Sequence, residues 1–333
     1  MQNHFAKIFL LGLVARFSRP ALCTLQPRVF FHYSRSLEKR ASDVEAESFG
    51  LPSRASRFTL KHMDLLKLSF KEASAEKDVI SEVKTTNIPD QYVIPHVTSE
   101  VLCNPKFDVL KFGCISDPEV QTFITKLHET MMNRTKKIDR DETLTDTLVD
   151  DLLRAVKLNA FPLMIRNEPE YEVYVMNDVL VTAKPEFIIR FRDNAIFAVE
   201  VNKHLDIIRP GSGFGEAQLA IEMLASGSEN MRPFFRTKEY YRDQTIFTVR
   251  VISTYVTFYK AVIPAEYWKE LDQGLPKVHS VEIQRWPAEN ILGGGLDLAE
   301  PDARESVLTS LIKIRQFILP QKYLEKASSE QTS

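Results

Sequence analysis

Cysteine is scarce: Cys23, Cys103 and Cys114 are the only three in 333 residues, too few and too scattered for a disulfide framework or a zinc site built on paired cysteines. The seven histidines have no metal-ligand spacing and no Gly-x-Ser-x-Gly elbow occurs, so zinc-hydrolase and serine-hydrolase chemistry have no residues to rest on. Long apolar runs are missing too. The run from Ile8 to Ala15 is about eight residues, where a bilayer needs about 20, so no membrane span is expected. Nor does charge of one sign dominate. A net charge of -2 exerts no global pull on nucleic acid or anionic lipid, and any such contact falls to a local patch such as Arg190, Arg192, Lys203 and Arg209. No repeat recurs at a fixed period.

What is present is ordinary for a globular chain, 44% apolar and 26% charged, with room for one large domain. Acidic residues are absent from Met1 to Leu37, which carries Lys7, Arg16, Arg19, Arg28 and Arg35. An Arg- and Ser-rich, acid-free stretch fits a mitochondrial transit peptide, with a secretory signal cut near Ala21-Leu22-Cys23 as the alternative. We therefore expect a leader over 1–40, a linker with some local structure over 41–116, an α/β domain over 117–325 and a polar, frayed tail over 326–333.

Within the domain, Asp117-Pro118 places a cap before a proline at the first helical position, and a helix runs to about Asn133. Thr143 to Leu158 is a second helix, with Leu144, Leu148, Leu152 and Ala155 on one stripe and Asp151 at its edge. Glu172–Val175 and Val179–Thr182 pair across a turn at Asn177-Asp178. From Glu186 to Arg192 the residues alternate, and Asp193-Asn194 signals a hairpin with Ala195–Val201. A loop, Gly211-Ser212-Gly213-Phe214-Gly215, leads into a helix reaching about Ala225 that places Gln218, Glu222 and Ala225 near one face. The loop fails the spacing of a dinucleotide fingerprint. Thr245 to Ile263 forms strands broken near Ser253-Thr254, Pro264 to Asp272 a short helix, and Asp302 with Glu305 a capping box for the last helix.

The order Pro185-Glu186, then Glu200 ending an apolar strand, then Lys203, then a helix carrying Gln218, resembles the PD-(D/E)xK nuclease superfamily over about residues 143–225. The resemblance implies a mixed central sheet flanked by helices, with a restriction-endonuclease-like core. It implies that Glu186 and Glu200 hold Mg²⁺ or Mn²⁺, that Asp151 is the acid contributed by the preceding helix, that Lys203 is the catalytic lysine and that Gln218 fixes the geometry. The substrate would be DNA or RNA. The sequence departs from the family in one place: acid and lysine are two residues apart there, whereas here Asn202 has that spacing and Lys203 follows. Either a β-bulge at Val201-Asn202 turns Lys203 back, or Asn202 takes the lysine's place. The second case would leave a catalytically inactive binding or scaffold protein on the same fold. The aromatic and basic run Arg232 to Arg242, with Phe234-Phe235 and Tyr240-Tyr241, is a further nucleic-acid-binding candidate.

Overall fold

In the structure, a computed structural model, the described residues are 49–83, 88–113, 115–136, 141, 143–192, 194–202, 215–235, 241–291, 293–320 and 323. They all fall within one unit, Arg40–Ser333. The expected leader and tail, Lys203, the loop residues Gly211 to Phe214 and Tyr240 lie outside the described residues.

Short helices α1 (Leu60–Leu65), α2 (Glu76–Val79) and α3 (Ser99–Leu102) surround and follow the first strand, β1 (Leu68–Glu72). Next come α4 (Pro118–Thr135) and α5 (Thr143–Ala155). The expected cap on α4 is present: Glu119 N donates to Asp117 Oδ1 at 2.8 Å, with Pro118 opening the helix. Strand β2 (Leu163–Asn167) precedes a separate two-stranded ribbon, β3 (Tyr171–Val175) with β4 (Asp178–Ala183). Its turn carries Met176 and Asn177 at φ of 54° and 71°, a conformation Asn tolerates well. Then come β5 (Phe187–Phe191), β6 (Asn194–Asn202) and α6 (Glu216–Phe235). The chain continues through β7 (Gln244–Ile252), β8 (Tyr255–Ile263), α7 (Ala265–Leu271), β9 (Val281–Trp286), β10 (Leu296–Asp297) and α8 (Pro301–Ile318).

The main sheet has eight strands in the order β1-β9-β8-β7-β6-β5-β2, with β10 extending beside β8. It is mixed: β1 with β9 and β6 with β7 run parallel, the other pairs antiparallel. Alternation divides its two faces. Phe187, Ile189, Phe197, Val199, Phe247 and Val249 join a core with α4, α5 and α8. Ile188, Ala198, Ile246 and Ala261 join a second core with α6 and α7. The protein is thus an α/β fold with helices on both faces of a mixed central sheet. Among the described residues no helix is long and apolar enough to cross a membrane.

Three expectations are corrected. The segment over 41–116 is not a linker where it is described: β1 pairs in register with β9 from Leu68↔Val281 to Glu72↔Arg285, and Leu66, Val79, Ile80, Val97 and Leu102 are buried. Its anchors are carried one or two at a time by very short helices, so no period accumulates. Helix α6 does not stop near Ala225 but continues past Gly227 to Phe235, which places Phe234 in the helix and not in a loop. The Asp302–Glu305 capping box does not form, because α8 begins at Pro301 and Glu300 occupies the cap position. Ser99 Oγ donates to the Glu300 carboxylate, which makes no side-chain cap hydrogen bond.

Candidate functional site

Hairpin geometry brings the two motif acids together. Phe187 pairs with Val199, so Glu186 and Glu200 lie one step further along, at the open end of the β5–β6 hairpin. The entry to β5 is fixed by Glu168, whose N–H donates to the Glu186 carbonyl at 2.8 Å, while the Glu168 carboxylate pairs with Lys184. Glu200 shares the sheet face of Ala198, the face that α6 covers. It is 6% exposed.

Helix α6 opens immediately after Gly215, which at φ 83° takes a backbone turn that L side chains rarely adopt. One turn in, Gln218 Nε2 donates to Glu200 Oε1 and to Glu222 Oε1, each at 2.9 Å. Gln218 and Glu222 are four residues apart and therefore neighbours on one helical face. Glu222 is 0% exposed. Burial pushes its carboxyl up to about 7; hydrogen bonds to Glu200 and Gln218 oppose this, and the field of Glu186 adds to it. Two carboxylates, Glu200 and Glu222, thus share the amide of Gln218 in one dehydrated corner, an arrangement that disfavours ionising both together.

Positive charge comes from the next strands on the same face. In the parallel register of β6 with β7, Glu200 lies opposite Arg250, which is 2% exposed. Arg250 Nη2 donates to Asn290 Oδ1 at 2.9 Å and its guanidinium carbon sits 5.4 Å from the centroid of Tyr259. Tyr259 donates its hydroxyl to Glu216 Oε1 at 3.2 Å, and Arg285 Nη1 donates to the same oxygen at 2.7 Å. Arg285 also reaches Glu72 of β1 and the carbonyl of Ala288. Burial raises the Glu216 carboxyl, and Arg285, Arg250 and Tyr259 pull it back. A polar seam therefore runs across the sheet beneath the start of α6, from Glu186 to Glu72.

Of the residues expected at the site, the structure brings Glu186, Glu200 and Gln218 together. It does not bring Asp151. That residue belongs to α5, on the opposite face of the sheet, and pairs with Lys126 at 2.7 Å. It lines a separate cleft of about 440 Å³ with Tyr92, Glu119 and Arg154. The edge position that kept Asp151 off the apolar stripe turns it toward α4 instead. Lys203 lies outside the described residues; of the two alternatives for that position, the bulge at Val201-Asn202 is not seen in the described pairing, since β6 pairs with β7 from Phe197↔Phe247 through Asn202↔Ile252 without a shift. The irregularity in the hairpin lies instead between Ile189 and Arg190. Two residues of the site, Glu222 and Arg250, were not among those that the sequence assigned to it. Glu222 carried a usable signal, its i,i+4 spacing from Gln218; Arg250 carried none, because only the sheet register makes it a neighbour of Glu200.

Among the described residues no group of three or more His, Cys, Asp or Glu is spaced to hold a metal as it stands. A two-carboxylate site remains compatible with Mg²⁺, which commonly takes one or two protein carboxylates and completes its shell with water and phosphate oxygens. The hard oxygens of Glu186 and Glu200, which neighbour each other at the open end of the β5–β6 hairpin, fit that requirement. Comparison with models of known protein families gives no match, and comparison with curated proteins gives none.

Proposed function

We propose that the protein is a metal-dependent nuclease of the PD-(D/E)xK type, hydrolysing phosphodiester bonds in DNA or RNA on a restriction-endonuclease-like core. The observation that carries this reading is the contact of Gln218 Nε2 with Glu200 Oε1 at 2.9 Å, beside the hairpin end that presents Glu186. Those are the residues that the resemblance names as the metal-binding acids and the helical glutamine. Mg²⁺ or Mn²⁺ held by Glu186 and Glu200 would polarise the phosphate and acidify a bound water. The protein's part is to fix the Glu200 carboxylate: Gln218 orients it, and buried Glu222 holds Gln218 in turn. In the reaction the oxygen of water bonds to phosphorus as the bond to the leaving sugar oxygen breaks; the leaving oxygen takes up a proton and the water gives one up.

The test is incubation of the purified protein with single- and double-stranded DNA and RNA plus Mg²⁺ or Mn²⁺, beside Glu200→Ala. Cleavage by the wild type that falls at least ~100-fold in the variant is expected if Glu200 carries the electrostatic stabilisation. Equal cleavage by both would identify a contaminant and end the assignment. One observation favours a second reading, a catalytically inactive nuclease-fold binding or scaffold protein: the strand continues unshifted to residue 202, an asparagine, at the family's lysine spacing. Under that reading nucleic acid binds and no variant or metal produces cleavage. The acid-free stretch at 1–37 extends the proposal to a mitochondrial location, with secretion as the alternative. Sequencing the mature N-terminus distinguishes them.

A further inference from the structure

The cleft beside Asp151 lies on the other face of the sheet from the candidate site and takes no part in its chemistry. Its volume, about 440 Å³, falls within the roughly 300–1,000 Å³ of small-molecule sites. Three parts of the chain line it: Glu119 from the first turn of α4, Asp151 and Arg154 from α5 with Lys157 and Asn159 just beyond that helix, and Tyr92 at the end of a short 3₁₀ turn, Asp90–Tyr92.

Two of these charges are neutralised within the protein. Asp151 pairs with Lys126 at 2.7 Å, and Arg154 donates Nε and Nη2 to Asp150 at 2.8 and 3.1 Å. The Glu119 carboxylate and the Lys157 ammonium have no such partner among the described residues, and they do not pair with each other across the opening. Each is carried on an anchored backbone. Glu119 N donates to the Asp117 cap at 2.8 Å; Lys157, at φ 58°, donates its N–H to the Arg154 carbonyl at 2.8 Å and accepts from Ala160 N at 3.3 Å. Tyr92 is fixed more firmly still: it is 6% exposed, its ring meets Phe123 edge-on with centroids 5.4 Å apart, and its carbonyl accepts from Arg304 Nε at 3.0 Å. Its hydroxyl makes no hydrogen bond among the described residues, and a polar group on so buried a residue calls for a partner. Burial foremost, then the fields of Glu119, Asp117 and Asp151, raises that phenol, so it keeps its proton to donate at neutral pH.

We propose that this cleft binds a small zwitterion of the α-amino acid class, with its ammonium on Glu119 and its carboxylate on Lys157. Asn159, whose Oδ1 accepts the Ile165 N–H at 3.1 Å, and the Tyr92 hydroxyl offer further donors to the carboxylate. A ligand with one charge satisfies one wall and leaves the other unpaired; a zwitterion satisfies both. The site is independent of the nuclease reading and stands or falls without it.

Glu119 and Lys157 are exposed, and exposed ion pairs contribute little each, so a Kd of about 0.1–1 mM is expected. The full-length protein is titrated with the standard L-amino acids by calorimetry and thermal melting, with acetate and methylamine as single-charge controls. At least one amino acid is expected to bind and to raise the Tm, while neither control does. Glu119→Gln and Lys157→Gln, both at exposed positions, should each weaken that binding about five- to tenfold. Tyr92→Phe keeps the packed ring and should weaken it about threefold through the lost hydroxyl alone. Absence of binding by every amino acid at about 1 mM overturns the proposal, as does binding that both charge variants leave unchanged. Acetate or methylamine binding as tightly as the amino acid overturns it too, because one charged wall would then suffice.

Discussion

At the scale of single residues, buried cations do two different jobs in this protein. Arg250 is set beside acids, whereas Arg304, 0% exposed, is set among carbonyls: it donates to those of Tyr92, Val93, Ile94, Val97 and Leu298. Burial lowers its guanidinium to about 10, against the opposing fields of Glu300 and Asp297. Four of the five acceptors, Tyr92, Val93, Ile94 and Val97, belong to a stretch with no regular hydrogen-bond ladder of its own, which Arg304 fixes onto the start of α8. A lysine has three donors on a point charge and leaves at least two of those carbonyls unserved. Arg304→Lys is therefore expected to cost roughly 2–5 kcal/mol of stability, since each unsatisfied buried polar group costs about 1–3 kcal/mol; urea denaturation measures it, and a loss below about 1 kcal/mol would mean that solvent replaces the lysine's missing bonds. Neither arginine was readable as buried from the sequence, because burial of a charge is decided by partners far along the chain. Glu200 and Gln218 were readable, since strand alternation and helical spacing are local properties.

At the scale of elements, the same contrast separates the hairpins from α6. The β3–β4 and β5–β6 pairs were legible because each alternating run ends in a turn signal within a few residues. The end of α6 was misread because Gly227 looks like a stop. A Cβ at that position would lie 2.8 Å from Trp268 Cζ2 and 3.2 Å from Ile263 Cδ1, so the glycine admits the indole of α7 to the helix surface. Gly227→Ala should gain up to about 1 kcal/mol in helix propensity and lose about 1–3 kcal/mol to overpacking. Net destabilisation is expected by thermal melting; a raised Tm would show that Trp268 swings aside at no cost. The far end of α7 supplies a pH-dependent contact. Glu270 accepts the N–H groups of Lys277, Val278 and His279 and pairs with His279 Nδ1 at 2.7 Å. The Val278 N–H foremost holds its carboxyl down from its ordinary 4.5 to about 2. A depressed carboxylate contributes stability that is complete above the unfolded value and is lost as pH falls toward the folded one. Wild type should therefore exceed Glu270→Ala in stability at pH 7, and the gap should close between about pH 4.5 and 2. A gap independent of pH would assign the role of Glu270 to packing alone.

At the scale of the whole molecule, the site depends on chain that precedes Glu186 by more than a hundred residues. Strand β1 closes the sheet edge at β9, and Glu72 on that strand joins Arg285, which in turn holds Glu216 at the start of the helix carrying Gln218. The early segment also supplies Leu66, Leu68, Val79, Ile80, Val97 and Leu102 to the two cores. Fully burying such a side chain is worth about 1.5–3 kcal/mol, so losing these six approaches the ~5–15 kcal/mol by which a domain is stable. The resemblance begins near residue 143 and gives no hint of this, because it describes the site and not the edge that supports it. A chain beginning at residue 114 should therefore fail to fold cooperatively although it keeps every residue of the candidate site. It would expose the β9 edge to pairing with other chains and leave Arg285 without Glu72 and Arg304 without most of its carbonyls. Circular dichroism during heating checks this: a broad or absent transition with aggregation is expected. A sharp transition within a few degrees of the full-length protein would show instead that the region from 114 onward folds on its own and that the early strand is an addition to it.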